Sequence, residues 1–351
     1  MSDKEIRIAD KKLGAGAPVY IVAEMSGNHN GDKARAFELV HAAAEAGADA
    51  IKLQTYTADT ITIDCDKEYF RLNRGTLWDG RTLYDLYREA YTPWDWQPEI
   101  MEEAAKLGLA CFSSPFDRTA IDFMEEMDMP AYKIASFEIT DVPLIRYAAS
   151  KKKPVILATG IAHAEDIQAA VDACRAAGND DIILLKCVSA YPTPYEDVNL
   201  RMMPGLGKDY GVLYGLSDHT PGGTVPVAAT AFGAVMVEKH MTLRRSDGGP
   251  DAAFSMEPEE FADMVRQIRI TEKALGSDVY RLTDKQETER ALSRSLFVVK
   301  DIPAGTVLTD ENIRSIRPGY GLSPARLEEV LGRTASRDLE RGEPLRDGDF
   351  N

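Results

Sequence analysis

Two histidines, His219 and His240, each stand at the carboxyl end of a short apolar run. Each run is rich in branched and aromatic residues and becomes polar only at its end, which is typical of a buried strand. The break at 221–223 and the stretch 224–233 leave room for a helical crossover, so the two strands are predicted to be parallel neighbours. Two imidazoles at one edge of a parallel sheet suit a metal or catalytic site. The alternative is that each is an ordinary core histidine.

The wider chain alternates strand-like apolar runs with segments of helical periodicity between residues 19 and 275. This alternation predicts an α/β fold, a (β/α)8 TIM barrel, with a doubly wound open sheet as the alternative. No glycine-rich dinucleotide fingerprint follows the first strand, which disfavours the open sheet. One long insertion, at about 55–93, interrupts the alternation, and its aromatic residues predict an ordered, functional loop.

The composition changes after Gly276. We therefore predict a TIM-barrel catalytic domain at 1–276, a polar linker at 277–292 and a small β-rich domain at 293–351. The small domain contains a weak internal repeat, in which 300–308 is similar to 337–345. Each copy is predicted to form a strand-turn-strand element with a glycine at the turn.

Charge and composition exclude several classes of partner. The formal net charge of −16 argues against nucleic acid or an anionic membrane as a partner. No apolar run approaches the roughly 20 residues that span a bilayer, and the charged N-terminus lacks the apolar core of a signal peptide. The four cysteines have no CxxC spacing, so they are interpreted as reduced thiols of a cytoplasmic protein.

Polar residues at the predicted strand ends could carry the chemistry, because barrel enzymes react at that face. They are Glu24, Lys52, Gln54, Lys133, Ser136, Thr159, Lys186, Ser189, Tyr191, Ser217, Asp218, His219 and His240. Buried lysines need partners, so Lys52 and Lys133 are expected to contact either a bound anion or internal acids such as Glu24. Lysines and hydroxyls suit a phosphorylated carboxylate, and a two-histidine metal could polarise a carbonyl. The set suits bond formation between a phosphorylated enol and an aldehyde, with Glu24 as general acid or base.

Seven short motifs resemble the sialic acid synthase family. They are AEMSGNHNG at 23–31, IKLQT at 51–55, YKIAS at 132–136, GLSDHT at 215–220, EKH at 238–240, GPD at 249–251 and SIRPG at 315–319. The resemblance extends from about residue 21 to the end of the chain. It implies a TIM barrel followed by an antifreeze-like (SAF) domain. It also implies a domain-swapped homodimer, in which the small domain of one subunit covers the barrel of the other.

The same resemblance implies ligands and residue roles. It implies phosphoenolpyruvate as the donor, an acetamido-deoxy sugar as the acceptor, and a divalent metal on His219 and His240. Mn²⁺ is the expected metal, with Mg²⁺ or Co²⁺ as alternatives. The implied donor-binding residues are Lys52, Lys133, Ser136, Thr159, Ser189 and Ser217. The implied sugar-binding residues are Gln54, Tyr191, Asp251 and Arg317, of which Arg317 reaches in from the partner. Glu24 matches the family's catalytic carboxylate.

Two positions depart from the family pattern. Ala158 stands where a serine is common, so one donor hydroxyl is expected from Thr159 instead, and Ser189 stands where an asparagine is found. The stretches 75–87 and 135–141 look like the branch that makes pseudaminic acid. The implied acceptor is then 2,4-diacetamido-2,4,6-trideoxy-β-L-altropyranose. The alternative is an N-acetylneuraminate or legionaminate synthase that uses another acetamido sugar.

The sequence allows two alternative functions and two alternative roles for a pair of loop residues. A Schiff-base aldolase on Lys52, Lys133 or Lys186 would need no metal. The antifreeze-like tail suggests a non-catalytic sugar- or ice-binding protein, against which the acid, lysines and histidines of the rim argue. Leu77 and Trp78 either meet the acceptor's methyl group or pack the insertion onto the barrel.

The remaining histidines are expected to differ in role. His29 lies in the first rim loop and is a candidate substrate contact, whereas His41 and His163 are expected on helix surfaces.

Overall fold

A hairpin that the sequence analysis did not predict precedes the barrel. Strand β1 (Glu5–Ile8) pairs with the antiparallel strand β2 (Lys11–Gly14). The side chains of Ile6, Ile8 and Leu13 are buried in one cluster with residues that begin the barrel strands. The hairpin therefore closes the amino-terminal end of the barrel, and only the carboxyl end of the barrel is left for a site.

The structure, a computed structural model, describes residues 4–73, 75 and 77–351. Thr76, one residue of the stretch 75–87 that suggested the acceptor, lies outside this description. The chain divides into two compact units, Met1–Gly276 and Ser277–Asn351. Among the described residues, no helix combines the length and the apolar character needed to cross a membrane.

Eight parallel strands form a closed barrel in the first unit, which confirms the predicted TIM barrel over an open sheet. The strands follow one another around the barrel in chain order, and the last pairs with the first. They are β3 (Tyr20–Glu24), β4 (Ala50–Thr55), β5 (Ala110–Pro115), β6 (Tyr132–Ile134), β7 (Val155–Ala158), β8 (Ile182–Lys186), β9 (Leu213–Asp218) and β10 (Met236–His240).

Helices cover the outside of the barrel, and a continuous apolar cluster fills the layer between helices and strands. Asp32, Asp117 and Asp141 cap three of the helices, because each carboxylate accepts hydrogen bonds from the first free backbone N–H groups. The helices of this unit are α1 (Lys33–Glu45), α2 (Ala58–Ile61), α3 (Leu83–Ala90), α4 (Gln97–Lys106), α5 (Arg118–Glu126), α6 (Val142–Ser150), α7 (Ala164–Ala176), α8 (Met203–Tyr210), α9 (Thr224–Ala231) and α10 (Pro258–Leu275).

Alternation along the strands divides the barrel interior into an apolar and a polar half. Side chains at every second position point inward. In β10 the inward series runs from Met236 through Glu238 to His240, and in β5 it runs from Phe112 to Ser114. The apolar members pack against the hairpin, so the polar members gather at the carboxyl end of the barrel.

The long insertion after β4 is ordered where it is described. Arg71 and Thr82 form an antiparallel bridge, so the chain between them folds back on itself. Helix α3 follows directly, and its first turn is capped by the Thr82 hydroxyl, which accepts a hydrogen bond from the Asp85 N–H at 3.1 Å.

The second unit is small and rich in short β pairings, as predicted. It contains α11 (Asp284–Glu289), within the stretch predicted as a linker, and β11 (Ser295–Val298), β12 (Ile313–Ile316) and α12 (Leu327–Val330). The two copies of the internal repeat pair with each other: Ile302 and Leu339 exchange backbone hydrogen bonds of 2.8 Å in both directions. A buried cluster that includes Leu296, Leu308 and Leu345 forms the core of this unit.

Candidate active site

A buried network of two lysines and two glutamates lies at the polar end of the barrel. Lys52 contacts the carboxylate of Glu24, and its Nζ lies 3.2 Å from the Ser114 hydroxyl and 3.6 Å from Oε1 of Glu238. The Nζ of Lys133 lies 3.3 Å from the same Oε1. Both lysines therefore have internal carboxylate partners. Lys52 pairs with Glu24, the acid that the sequence analysis named as an alternative to a bound anion.

Glu238 is the residue of this network that the sequence analysis missed. Its Oε1 also accepts a hydrogen bond of 3.1 Å from Ser217, while its Oε2 has no hydrogen-bond partner among the described residues. Burial opposes ionisation of Glu238, but Lys133 and Lys52 outweigh burial and lower its pKa. A signal was present, because Glu238 stands two residues before His240 and must share its face of the strand.

Above this network lies a cavity of about 600 Å³. The predicted residues that line it are Lys52, Gln54, Lys133, Ser136, Ser189, Tyr191, Ser217, His219, His240 and Asp251. Tyr191 connects two parts of this lining, since its ring lies 4.5 Å from that of His219 and 5.7 Å from that of Trp78. Asp251 accepts a hydrogen bond from the Ser26 hydroxyl. The structure thus brings predicted donor, sugar and metal residues of the barrel to one cavity.

Five predicted residues do not line this cavity: Glu24, Thr159, Lys186, Asp218 and Arg317, of which Lys186 and Asp218 line a small pocket beside His219. Glu24 is fully buried behind it, where its Oε1 accepts a hydrogen bond of 3.2 Å from the Gln54 amide. The Thr159 hydroxyl donates to the carbonyl oxygen of Leu185 at 3.1 Å. Arg317 lies in the second unit, exposed and directly after β12.

Gly160 shapes the part of the cavity where Thr159 was expected. Its N–H donates to the Ser136 hydroxyl at 3.1 Å. A Cβ at this position would overlap the hydroxyl groups of Ser136 and Ser189, so only glycine permits their approach. The sequence signal is a glycine directly after a strand end, and the sequence analysis assigned it no role.

The two histidines fit a divalent metal. Their ring centroids are 5.3 Å apart. The Nδ1 of His219 donates to the Val188 carbonyl oxygen at 3.0 Å, which leaves the lone pair on Nε2. The Nδ1 of His240 has no hydrogen-bond partner in the described part of the chain, and burial keeps the pKa of His240 well below its usual value. The described residues contain no group of three potential ligands, so substrate or water would complete the coordination.

Cys187 lies beside His219, with its sulfur 3.8 Å from Nδ1. Burial alone would raise the pKa of Cys187, but His219 and Lys133 outweigh burial and lower it to about 7. For His219, burial alone would lower the pKa, but the interaction with Cys187 outweighs burial and raises it. A metal would replace the His219 proton, since only neutral imidazole binds metals.

Two further carboxyl groups have unusual surroundings. Burial and the nearby Glu238 raise the pKa of Glu24 to about 7, against the opposing effect of Lys52. Burial also raises the pKa of Glu138, which lines the cavity, to about 7, against the opposing effect of Lys133. The site therefore offers two carboxyl groups able to hold or release a proton near neutral pH.

The remaining histidines have structural or surface roles. His29 is fully buried: its Nε2 lies 3.1 Å from the Thr92 hydroxyl, and its Nδ1 accepts a hydrogen bond of 3.0 Å from the Gly31 N–H. Both ring nitrogens are thus used inside the fold, so His29 stabilises the first rim loop and does not face the cavity. His41 lies on the surface of α1, as expected, whereas His163 is exposed at the N-cap position directly before α7.

Comparison with known proteins identifies both parts of the chain. Residues 39–280 match the NeuB family, and residues 293–351 match the SAF domain. The chain is 48% identical to the pseudaminic acid synthase of Helicobacter pylori over 329 residues, which cover 93% of this chain and 96% of that protein. It is 36% identical to the N,N'-diacetyllegionaminic acid synthase of Legionella pneumophila, over 95% of each chain.

The solved structure of an N-acetylneuraminic acid synthetase from Leptospira borgpetersenii superposes with a TM-score of 0.72 at 32% identity. The match covers 82% of this chain and 95% of that one. Sequence and fold agree, and the chain therefore belongs to the NeuB family.

Proposed function

We propose that this chain acts as a pseudaminic acid synthase, which condenses phosphoenolpyruvate with 2,4-diacetamido-2,4,6-trideoxy-β-L-altropyranose to give pseudaminic acid and phosphate. The observation that carries the proposal is the cavity in which two lysines, five serines and two histidines meet. The acceptor is chosen on similarity, because identity to the pseudaminic acid synthase is 48% and identity to the legionaminic acid synthase is 36%.

The donor is assigned to the lysine side of the cavity. Lys52 and Lys133 supply the positive charge, and the hydroxyls of Ser136, Ser189 and Ser217 supply hydrogen bonds to phosphate and carboxylate oxygens. Thr159 has no part in this assignment, since its hydroxyl is bonded to a backbone carbonyl oxygen.

The acceptor is assigned to other residues of the same lining. Gln54, Tyr191 and Asp251 would hold the open-chain sugar so that its aldehyde carbon lies within reach of the donor's methylene carbon. His219 and His240 would hold a divalent metal, Mn²⁺ by resemblance with Mg²⁺ or Co²⁺ as alternatives. When bound, such a metal polarises the aldehyde.

The reaction forms one carbon–carbon bond and one carbon–oxygen bond from water, and it breaks the carbon–oxygen bond to phosphate. Of the two protons of the water, one goes to the aldehyde oxygen and the other to the departing phosphate. The methylene carbon of the donor bonds to the aldehyde carbon, water adds to the former enol carbon, and phosphate leaves with its bridging oxygen. Glu24 lies one hydrogen bond from the cavity, through Gln54. We assign it a general acid or base role, in which it accepts a proton from the attacking water or donates one to the developing hydroxyl.

A Schiff-base mechanism fits the site less well. A lysine must lose its proton to act as a nucleophile. The pKa of Lys52 is raised, because Glu238 and Glu24 outweigh the effect of burial, and Lys133 is paired with Glu238. Lys186 has a lowered pKa because of burial, but it lies outside the large cavity, and its Nζ donates to the Cys187 carbonyl oxygen at 2.9 Å.

We further propose a homodimer in which the second unit of one subunit covers the barrel of the other, so that Arg317 acts on the partner's sugar site. This rests on the resemblance alone. We also propose a cytoplasmic location, which the four free thiols support.

The first experiment measures phosphate release from phosphoenolpyruvate with the altrose derivative, the legionaminate precursor and N-acetylmannosamine. Each acceptor is assayed after chelation, with and without added Mn²⁺. Metal-dependent release with the altrose derivative alone is the expected result. Release with another sugar would change the substrate assignment. Undiminished release after chelation would refute the proposed requirement for a metal. No release with any acceptor would refute the synthase.

Glu24→Gln tests the proton role separately. The amide keeps the shape and a hydrogen bond to its neighbours but cannot exchange the proton. We expect kcat to fall by roughly 100-fold or more. KM for phosphoenolpyruvate should change far less, because Glu24 contacts the donor lysine Lys52 but is not itself assigned to the donor. An unchanged kcat in a folded variant would remove Glu24 from the chemistry.

A further inference from the structure

Helix α3 presents an apolar stripe to the cavity. Its residues at spacing i, i+3, i+4 and i+7 are Leu83, Leu86, Tyr87 and Ala90, and all four line the cavity. The opposite face carries exposed charged residues, Asp85, Arg88 and Glu89. An amphipathic helix normally packs such a stripe against a core. Here the stripe borders about 600 Å³ of open volume, so it is shaped to contact an apolar part of a ligand.

The stripe lies on the outer side of the cavity, away from the lysines. Lys52, Gln54 and Tyr56 follow one another on the inward face of β4 and its continuation, and all three line the cavity. The four steps along the chain from Lys52 to Tyr56 rise roughly 13 Å if extended. The ring of Tyr87 packs edge-on against that of Tyr56, at 5.7 Å between centroids. The cavity therefore runs from an ionic floor in the barrel to an apolar wall in the insertion.

Two more residues of the insertion extend this wall. Ile61, the last residue of α2, and Leu72, in the fold-back that precedes α3, also line the cavity. The backbone of Leu72 is fixed by hydrogen bonds to Arg81 and Gly80, of 2.9 and 2.8 Å. The apolar wall thus comes from three separate pieces of one insertion, and its position is held by backbone hydrogen bonds.

We infer that this wall, formed by Ile61, Leu72, Leu83 and Leu86, receives the deoxygenated end of the acceptor sugar and selects for its C6 methyl group. The inference rests on the proposed function. The aldehyde carbon must lie at the floor, where the bond forms, so C6 is the carbon farthest from the floor. A hydroxyl at C6 would face aliphatic side chains and lose its hydrogen bonds to water. The wall therefore disfavours the 6-hydroxy sugar.

The test compares kcat/KM for two acceptors, the altrose derivative and the same diacetamido sugar with a hydroxyl at C6. For the wild-type chain we expect a preference of about 10- to 100-fold for the 6-deoxy sugar, which is what an apolar pocket achieves against an added hydroxyl. Leu83→Ser and Leu72→Ser should each reduce this preference several-fold and leave KM for phosphoenolpyruvate unchanged. Leu77→Ser is the matched control, because Leu77 belongs to the same insertion, is 55% exposed and does not line the cavity.

The outcomes separate this inference from the proposed function. If the wild-type chain has nearly equal kcat/KM for the two acceptors, the proposed role of the wall is overturned, whatever the variants do. A wild-type preference that persists in a folded Leu83→Ser or Leu72→Ser chain would also overturn it. Circular dichroism melting shows which variants fold, and the two residues lie on different elements. An absence of phosphate release with both acceptors would instead refute the synthase itself.

Discussion

The buried carboxylate of Glu238 serves two lysines at once. Its side chain is fully enclosed, and its Oε1 lies 3.3 Å from the Nζ of Lys133 and 3.6 Å from that of Lys52. Removal of one member of a buried ion pair leaves an uncompensated charge, which destabilises a fold by roughly 3–5 kcal/mol. The wild-type site therefore depends on Glu238 to keep two cations in the barrel interior.

We expect Glu238→Ala to lower the free energy of unfolding by about 3 kcal/mol. Urea denaturation followed by circular dichroism measures the loss. Glu238→Gln is the control, because the amide oxygen can still accept from Ser217 and should retain part of the stability. Equal stability of Glu238→Ala and the wild-type chain would contradict the ion-pair role.

Glu138 should make stability depend on pH. Burial raises its pKa in the folded chain from an ordinary value of 4.5 to about 7. Between these pH values the folded state holds a proton that the unfolded state has released, so stability falls as pH rises. Full expression of this shift corresponds to roughly 3 kcal/mol.

We expect Glu138→Gln to lack this loss, so its melting temperature relative to the wild-type chain should rise from pH 5 to pH 7 and level off above. Thermal denaturation at a series of pH values is the measurement. Glu126→Gln, at an exposed position of α5, should keep the wild-type profile. Parallel profiles for Glu138→Gln and the wild-type chain would show that Glu138 ionises normally.

At the residue scale, the sequence was enough to find the polar residues at strand ends. It was not enough to find residues whose role depends on contacts with distant parts of the chain. Lys52, His219 and His240 are visible because a polar group ends each apolar run. The pairing of Glu238 with Lys133 is not visible, because it joins strands that lie across the barrel interior from each other. The direction of the Thr159 hydroxyl depends on the backbone of the neighbouring strand, so the sequence could not predict it either.

Among the elements, the amino-terminal hairpin determines which end of the barrel can hold a site. Ile8 is fully buried in the cluster that fills the amino-terminal half of the barrel. We expect Ile8→Ala to lower the free energy of unfolding by about 2–4 kcal/mol, with KM for phosphoenolpyruvate unchanged because the cavity lies at the other end. Denaturant unfolding and donor kinetics measure both quantities. Ile63→Ala, at a side chain that is 59% exposed, is the control. A raised donor KM in a folded Ile8→Ala chain would contradict this separation.

The elements that sequence reasoning missed are short or lie within the insertion. Strand β1 alternates charged and apolar residues over only four positions, and β2 begins with two lysines, so the hairpin resembles a charged tail. Helix α3 has eight residues inside a stretch predicted as a loop, although the Thr82 cap and its apolar spacing were present. The eight barrel strands were found because each contains a short, mainly apolar run between helical segments.

At the scale of the whole molecule, the proposed dimer gives the second unit a role at the partner's barrel. The internal repeat gives that unit a symmetric pair of exposed hydrogen bonds: Asp301 accepts from the Arg341 N–H at 2.8 Å, and Asp338 accepts from the Ala304 N–H at 2.7 Å. Its predicted functional residue, Arg317, is exposed within this unit. The proposed dimer assigns Arg317 to the partner's sugar site, and this assignment can be tested without knowledge of the dimer's geometry.

Two inactive chains should restore activity when combined, if Arg317 acts on the partner. One chain carries Arg317→Ala and the other Glu24→Gln. In a mixed dimer, the intact barrel of the first chain meets the intact second unit of the other, so one complete site forms. Random pairing of co-expressed chains makes half of the dimers mixed, so about one quarter of wild-type phosphate release is expected. Each variant alone is the baseline, and size-exclusion chromatography verifies the dimer. No recovery from a verified mixed dimer would show that Arg317 serves its own barrel or none.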